Sequence, residues 1–334
     1  MSRFFTEVAL SDPGWRIGYQ DKLMLMGSCF TENIGEKLRL LKFQVDLNSF
    51  GIIYNPFSMA KSLRILLSSK TYTEQDLFEY KGIWSSFDYH SRFSDVSTAQ
   101  VLRNINSRLN SSRSFFKDAD YLIITFGTSW VYELKAAGTI VSNCHKIPAA
   151  GFKRYRLTPG EIIDEYRKVL PELWDFNPKL RVLFTVSPVR HWKDGATGNQ
   201  LSKSVLLLAV ERLISGFGKE RCAYFPVYEI MMDELRDYRF YAPDMIHPSQ
   251  VAIDYIWDKF AGSMIEGKDR ETVTDVLKII KAKEHRPFNP KTVEHKKFLV
   301  NILNEIQELM AKFPYLDLQE EKKYFESQLI DNQF

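Results

Sequence analysis

Residues 23–30 read Leu23-Met24-Leu25-Met26-Gly27-Ser28-Cys29-Phe30, an apolar run followed by a turn of small residues. The run has the length and composition of a buried strand, and residues 31–41 continue with a helical period. A strand-to-helix turn places its side chains beside unpaired backbone N–H groups at the positive end of a helix, which stabilise negative charge on a substrate oxygen. Ser28 is therefore the candidate nucleophile.

Apolar runs of strand length recur along the chain between segments with a helical period. These runs are residues 23–26, 121–126, 182–186 and 222–227, with 43–47 as a weaker candidate for the second strand. Such an alternation predicts an α/β fold with a mainly parallel five-stranded sheet that helices cover on both faces.

Two segments are additions to a minimal sheet of this kind: one is an insertion within the main domain, which we expect at residues 1–266, and the other follows that domain. An insertion at about residues 70–118 is rich in aromatic side chains and ends with a helical period at Val101, Ile105 and Leu109, so we expect a hairpin or cap followed by a helix. Its aromatic residues could grip a substrate or form a satellite core. Residues 267–334 predict a helical C-terminal extension that packs on the main domain or on another subunit of a homo-oligomer.

A second motif, Asp244-Met245-Ile246-His247-Pro248-Ser249, places a carboxylate three residues before an imidazole. In a catalytic triad the carboxylate orients one ring nitrogen, while the other nitrogen takes the proton of the nucleophile. Pro248 disfavours helical geometry at His247 and is favoured at the first position of a helix, so we expect His247 at an N-cap. An ordinary capping pair is the alternative. Together with Ser28, Asp244 and His247 predict acyl transfer or ester hydrolysis.

Donors for the oxyanion of such a reaction come from the loops after successive parallel strands. Gly51 offers a backbone N–H after the second strand, and Gly127 and Ser129 offer donors after the third. Asn143 and His145, in a polar segment after a predicted hairpin at residues 138–141, are further candidates. A structural role in a turn or a long loop is the alternative for each of these residues.

Other polar residues have a weaker claim to the site. Arg190 follows the fourth strand and could bind a carboxylate or phosphate of the substrate. Asp88 and His90 form a rival acid and imidazole pair without a nucleophile motif nearby. Cys29 is a rival nucleophile because thiols are intrinsically reactive and it occupies the same turn as Ser28.

The turn carries a family resemblance. Gly27-Ser28-Cys29-Phe30 resembles the signature of the GSCFA family, which is similar in turn to the SGNH, or GDSL-like, hydrolases. Further segments resemble family motifs, so the resemblance extends over roughly residues 15–265: 143–148, 185–192 and 244–247. The resemblance implies a three-layer α/β/α sandwich with Ser28 as nucleophile, His247 as base, Asp244 as its orienting acid and Gly51 as an oxyanion donor.

The chain departs from the SGNH pattern at two positions. Where many SGNH enzymes supply an asparagine as the third oxyanion donor, this chain has Gly127-Thr128-Ser129-Trp130, so a hydroxyl replaces the amide or the donor comes from elsewhere. Loss of one such donor costs about 3 kcal/mol of transition-state stabilisation. The usual glycine-aspartate-serine start is also altered, because no acid precedes Ser28.

Composition limits the partners and the location that we expect. The chain has 45 basic and 42 acidic residues and a net charge of +3, which favours neither nucleic acid nor an anionic membrane as partner. No stretch approaches the roughly 18 apolar residues of a spanning helix, and residues 1–7 lack the apolar segment of a signal peptide. Cys29, Cys144 and Cys222 lack zinc-ligand spacing, and we expect reduced, mostly buried thiols. These features predict a cytoplasmic protein without a metal or another cofactor.

The sequence thus predicts a serine-dependent esterase or deacylase of the SGNH type. Its first substrate candidate is a small molecule or carbohydrate that carries an ester, such as an O-acetyl group. An acyltransferase with the same three residues and a ligand-binding protein without turnover are the alternatives.

Overall fold

The computed structural model describes residues 5–331, so the first four residues of the N-terminal segment discussed above lie outside the description. The main sheet consists of the five strands that the sequence predicts, in the spatial order β10-β9-β5-β1-β2. The strands in the described residues are β1 (Lys22–Gly27), β2 (Gln44–Leu47), β3 (Phe78–Tyr80), β4 (Ile83–Ser85), β5 (Tyr121–Phe126), β6 (Trp130–Leu134), β7 (Thr139–Ile140), β8 (Phe152–Arg156), β9 (Arg181–Val186) and β10 (Cys222–Tyr224). The pairs β1–β5, β5–β9 and β9–β10 are parallel.

Helices connect these strands. They are α1 (Cys29–Leu40), α2 (Pro56–Leu67), α3 (Thr98–Lys117), α4 (Pro159–Phe176), α5 (Gly195–Phe217), the single turn α6 (Val227–Glu229), α7 (Gln250–Met264), α8 (Gly267–Glu284), α9 (Val293–Lys312) and α10 (Gln319–Asp331). Short polar caps fix where several of them begin. Thr158, for example, accepts a hydrogen bond from the N–H of Glu161, whose carboxylate accepts from the N–H of Thr158.

The two faces of the sheet are covered by different helices. Met24 and Met26 of β1 belong to the main hydrophobic core, which the buried faces of α2, α3, α4 and α5 complete. Leu25 points to the opposite face, where it lies near Phe30 of α1 and Phe260 of α7. Alternate residues of one strand are thus buried against two helical layers, as expected for a central parallel strand. The predicted three-layer α/β/α fold is confirmed.

The segment at residues 70–118 divides into two parts. Its first part contains the antiparallel hairpin of β3 and β4. Its second part is α3, whose residues Val101, Ile105 and Leu109 are buried in the main core. The predicted hairpin and helix are both present, and the helix belongs to a layer of the sandwich.

A second sheet of three strands, in the order β7-β6-β8, follows β5. The hairpin of β6 and β7 lies where the sequence predicts one, whereas β6 and β8 as paired strands were not predicted. β8 has the sequence Phe-Lys-Arg-Tyr-Arg and is mostly half-exposed, so it lacks the apolar run by which a buried strand is recognised.

The chain divides into two compact units. Of the described residues, the smaller unit contains 16–21, 36–44 and 264–331. Within it the ring of Tyr19 stacks on that of Phe43 at 4.2 Å between centroids, and α9 buries Ile302, Ile306 and Leu309, as its amphipathic period predicts. No helix among the described residues is long and apolar enough to cross a membrane. The candidate site lies within the larger unit.

Candidate active site

Asp244 and His247 form a hydrogen-bonded pair in the loop before α7. Nδ1 of His247 lies 2.6 Å from Oδ2 of Asp244, and Oδ1 of Asp244 accepts from the N–H groups of Ile246 at 2.9 Å and His247 at 3.0 Å. These bonds, that from the backbone of His247 first, lower the pKa of Asp244 to about 2. An ionised carboxylate can only accept, so it holds a proton on Nδ1 and leaves Nε2 as the basic nitrogen. Among residues 5–331 no hydrogen bond occupies Nε2.

His247 does not lie at an N-cap, so that prediction was wrong. α7 begins at Gln250, and the hydroxyl of Ser249 accepts from the N–H of Ala252 at 3.4 Å. Pro248 instead forms an isolated antiparallel bridge with Tyr241. This pairing closes a turn-rich loop that carries His247, in which the N–H of Ala242 donates to the carbonyl of His247 at 2.7 Å, and Pro248 lies outside the helix.

Ser28 is buried at the end of β1, with 1 % of its surface exposed. Its hydroxyl donates to Oγ of Ser187, in the loop after β9, at 3.0 Å. Within the described part of the chain no hydrogen bond joins Ser28 to His247. Ser28 is also not among the residues that line the cavity beside His247. The structure thus joins Ser28 to Ser187 and leaves it without a hydrogen bond to His247.

A cavity of about 400 Å³ opens beside the imidazole of His247. Its wall comes from the loops that follow β1, β2, β5 and β9 and from the second sheet, as expected for the carboxyl end of a parallel sheet. The lining residues that matter most for chemistry are Cys29, Tyr54, Trp130, Arg154, His191 and His247.

Cys29, the first residue of α1, lines this cavity and is half-buried. Its Sγ lies 3.7 Å from the hydroxyl of Tyr54. Burial is the largest cause of a raised pKa of Tyr54, so its phenol stays protonated at neutral pH and can donate a hydrogen bond. The backbone carbonyl of Tyr54 accepts from the N–H groups of Gly127 at 2.8 Å and Thr128 at 3.0 Å, which fixes its position.

His191 is a second imidazole in the cavity wall. Its ring meets that of Tyr54 edge to face, with 5.7 Å between centroids, and the backbone N–H of His191 donates to Oδ1 of Asn199 at 2.9 Å. Burial first, then the positive charges of Lys203 and Arg154, lower the pKa of His191 to about 3. His191 is therefore neutral at pH 7 and adds no charge to the wall.

Lys203 of α5 is fully buried and does not line the cavity. Its Nζ donates to the carbonyl oxygens of Gly127 at 2.6 Å and Ser187 at 2.7 Å, so one side chain ties together the loops after β5 and β9. No carboxylate of the described residues pairs with it, and burial lowers the pKa of its ammonium to about 7.

The three predicted oxyanion donors are engaged elsewhere. The N–H of Gly51 donates to the carbonyl of Asn48 at 2.8 Å, and the N–H of Gly127 donates to that of Tyr54. Ser129 is fully buried, and its hydroxyl and N–H both donate to Oγ of Ser202, at 3.1 and 2.8 Å. In this conformation none of these groups offers a free donor to a ligand.

Asn143 and His145 occupy different surroundings. Asn143 lines the cavity, and its Oδ1 accepts from the N–H of His145 at 2.8 Å. The imidazole of His145 lies outside this cavity wall, where Nε2 is 2.9 Å from the carbonyl of Ser86 and the ring packs edge-on against Phe78. Asn143 thus lies in the wall of this cavity, whereas His145 does not.

Arg190 lines the cavity next to His247. Its guanidinium stacks over Trp192 at 4.1 Å from the ring centroid and donates to the carbonyl of Met245 at 3.1 Å. The backbone N–H of Arg190 donates to the carbonyl of Ile246 at 3.2 Å. These bonds support the loop that carries His247.

The second sheet contributes an aromatic and basic wall. The guanidinium of Arg154 lies 4.1 Å from the ring centroid of Trp130 and forms an ion pair with Asp194. Nζ of Lys193 donates to the hydroxyl of Tyr132 at 3.0 Å. All five of these residues line the cavity, so flat apolar faces alternate with hydrogen-bonding groups.

The rival pair is not formed, since no hydrogen bond joins Asp88 to His90 among the described residues. Asp88 accepts from the hydroxyl of Tyr72 at 2.9 Å, whereas Nδ1 of His90 accepts from the N–H of Arg92 at 3.2 Å.

Over residues 5–331, no group of three or more His, Cys, Asp or Glu side chains is placed to hold a metal ion. The three cysteines are free thiols, and only Cys222 is buried, so the prediction of mostly buried thiols was wrong.

Comparison with family models identifies the chain. The GSCFA family model matches residues 22–260, and the model of a GSCFA domain protein, C-terminal domain, matches residues 276–331. The chain therefore belongs to the GSCFA family. A search of curated proteins gave no match.

Two solved structures share weak similarity with the chain. A carbohydrate esterase family 3 from Talaromyces cellulolyticus is 9% identical with a TM-score of 0.37, over 77% of this chain and 99% of the other. An acetyl xylan esterase (Est2A) from the rumen bacterium Butyrivibrio proteoclasticus is 13% identical with a TM-score of 0.36, over 73% of this chain and 64% of the other. At such low identities and TM-scores neither likeness bears on function.

Proposed function

We propose that this protein cleaves esters by acyl transfer at the cavity beside His247, with the chemistry of the SGNH-like hydrolases. The observation that carries the proposal is the Asp244–His247 pair: Nε2 of His247 has no hydrogen-bond partner among residues 5–331, and His247 lines a ligand-sized cavity. An ionised carboxylate that fixes the tautomer of a histidine is the arrangement of a general base.

The attacking group in this proposal comes from residues 27–30, which carry the hydroxyl of Ser28 and the thiol of Cys29. His247 takes the proton of that group as it bonds to the acyl carbon, and returns the proton to the departing alcohol. Water then attacks the acyl-enzyme, releases the acid and restores the nucleophile. Attack by Ser28 requires its side chain to turn away from Ser187.

An O-acylated carbohydrate is the proposed substrate class. The faces of Trp130 and Tyr132 can pack against the C–H surface of a sugar ring, while Asn143 and Lys193 can bind its hydroxyl groups. Sugars need this combination because their rings are apolar on the faces and polar at the edges.

A screen of short acyl esters and acetylated sugars tests the proposal. We expect acetate release by the native chain and a loss of about a hundredfold or more in kcat/KM in His247→Ala. Equal turnover in both proteins would exclude His247 as the base.

A binding protein without turnover is the second candidate. The engaged oxyanion donors favour it, and it predicts saturable sugar binding with no acetate release. Addition of an alcohol separates transfer from hydrolysis, since a transferase gives the new ester in preference to the acid.

A further inference from the structure

The two side chains of the turn after β1 face different surroundings. Ser28 is sealed, with its hydroxyl donated to Ser187 and 1 % of its surface exposed. Cys29 is half-buried and lines the cavity together with His247. A reactant in the cavity therefore meets the sulfur atom of Cys29, whereas the hydroxyl of Ser28 lies behind the wall.

We propose that Cys29, and not Ser28, is the nucleophile of this site, and that Ser28 is a positioning residue that fixes the turn through Ser187. The inference rests on the proposed acyl transfer. It assigns the reaction to a thiol that passes through a thioester, a chemically distinct intermediate.

The position of Cys29 suits this role in two ways. It is the first residue of α1, where backbone N–H groups lack intrahelical acceptors and the helix dipole stabilises negative charge on a nearby group. The hydroxyl of Tyr54 lies 3.7 Å from Sγ and can donate to the sulfur or to the oxyanion of a bound ester. Tyr54 thus supplies a side-chain donor at the site, where Gly51, Gly127 and Ser129 have none to spare.

The reaction balances without a cofactor. Nε2 of His247 accepts the thiol proton as Sγ of Cys29 bonds to the acyl carbon. The C–O bond of the ester breaks, and the proton passes from Nε2 to the alcohol oxygen. Water, deprotonated by the same nitrogen, attacks the thioester carbon, so the acid leaves and the thiol regains a proton.

Alkylation with iodoacetamide tests the coupling between Cys29 and His247 without any ester. Only the thiolate reacts quickly, so the rate at Cys29, followed by peptide mass spectrometry at pH 7, reports how far His247 activates the thiol. We expect a fall of about tenfold or more in His247→Ala. Cys144 is the internal reference, because it lines the same cavity and burial raises its thiol pKa. Equal rates at Cys29 in both proteins would overturn the proposal, whether or not the native chain cleaves esters.

Trapping of the acyl group identifies the attacking atom. We expect an acetyl adduct on Cys29 that neutral hydroxylamine removes, as it does from thioesters. Cys29→Ala should lose the adduct and at least about a thousandfold in kcat, while Ser28→Ala and Cys144→Ala should retain it. Cys29→Ser controls for folding, and any adduct on it should resist neutral hydroxylamine.

A hydroxylamine-resistant adduct on Ser28 of the native chain would overturn the proposal but would leave ester cleavage by this site intact. Absence of acetate release from every ester, with fast and His247-dependent alkylation of Cys29, would contradict only the proposed function.

Discussion

The hydroxyl of Ser28 donates a hydrogen bond of 3.0 Å to the hydroxyl of Ser187, and both side chains are buried. This bond crosses the end of β5, because the sheet order places β5 between β1 and β9. The N–H of Ser187 donates to the carbonyl of Phe126 at 2.8 Å, at the end of β5 itself. The ends of three neighbouring strands are thus tied together next to Cys29, which helps to fix the turn that carries this residue.

The hydrogen bond between the two serines predicts energetic coupling. Ser28→Ala and Ser187→Ala should each lower the free energy of unfolding by roughly 0.5–1.5 kcal/mol, with Ser187→Ala the larger because its Oγ also accepts from the N–H of Val189 at 3.3 Å. The double variant should lose less than the sum of the two, since the shared bond is lost only once. Urea unfolding of the four proteins measures the coupling. Strict additivity would show that the two hydroxyls act independently.

We expect Asp244 to support activity by holding a proton on Nδ1 of His247, and not by a change in its own protonation. Because its pKa is lowered to about 2, Asp244 stays ionised throughout the neutral range and cannot cause an acid limb near pH 6. Asp244→Asn keeps the size of the side chain but no longer enforces the proton on Nδ1 of His247. We expect kcat/KM to fall by about 10²–10⁴-fold.

Asp237 provides the matched control for that substitution. Its Oδ1 also accepts from a backbone N–H two residues later, that of Arg239 at 2.9 Å, but it has no histidine partner among the described residues. Asp237→Asn should retain kcat/KM within about twofold, as expected for a change away from the reacting groups. Equal losses in the two variants would mean that Asp244 acts only through loop structure.

Sequence periodicity predicted the main sheet because its strands are buried on both faces and therefore read as apolar runs, as in Tyr121–Phe126. It missed β8 and the pairing of β8 with β6, because β8 is mostly half-exposed and has three basic residues among its five. Arg154 and Trp130, which these two strands bring into the cavity wall, were missed for the same reason.

The candidate site was predictable only in part. Asp244 and His247 are three residues apart, so local spacing was enough to pair them. Whether Ser28 or Cys29 faces the cavity depends on the direction of two adjacent side chains at a turn, which the residue types do not reveal. Tyr54 lies in a loop with no motif. The burial of Lys203 was predictable from the sequence, because this residue lies at helical spacing from the buried residues Leu206 and Val210.

Gly51 occupies a position where a larger side chain should lower the stability of the protein. Its φ is +82°, and an added Cβ would lie 2.2 Å from Cβ of His90, whose N–H donates to the carbonyl of Phe50 at 2.8 Å. Gly51→Ala combines left-handed strain with this clash. Gly82→Ala is the matched control, since its φ is +77° with no atom within 4 Å of an added Cβ.

We expect Gly82→Ala to cost roughly 1–2 kcal/mol from backbone strain alone. Gly51→Ala should cost about 1–3 kcal/mol more, because the neighbouring segment must move. Thermal unfolding monitored by circular dichroism gives the comparison. Similar melting temperatures for the two variants would mean that the segment of His90 yields without cost.

Lys203 predicts an unusual dependence of stability on pH. Burial lowers its folded-state pKa from 10.5 to about 7, so between these values the unfolded chain binds more protons than the folded chain at this site. The free energy of unfolding that this residue contributes should therefore rise with pH across that window. The neutral amine retains two N–H donors, so the bonds to Gly127 and Ser187 persist while the penalty of a buried charge disappears.

Lys203→Met tests this dependence. At pH 9 the variant should unfold with roughly 1–3 kcal/mol less free energy, because two buried carbonyl groups lose their donor. The native chain should also gain stability relative to the variant between pH 7 and the unfolded-state value of 10.5, as measured by urea unfolding at several pH values. Lys168→Met, at an exposed position of α4, should leave this slope unchanged. Parallel pH profiles for the native chain and Lys203→Met would mean that Lys203 keeps an ordinary pKa in spite of its burial.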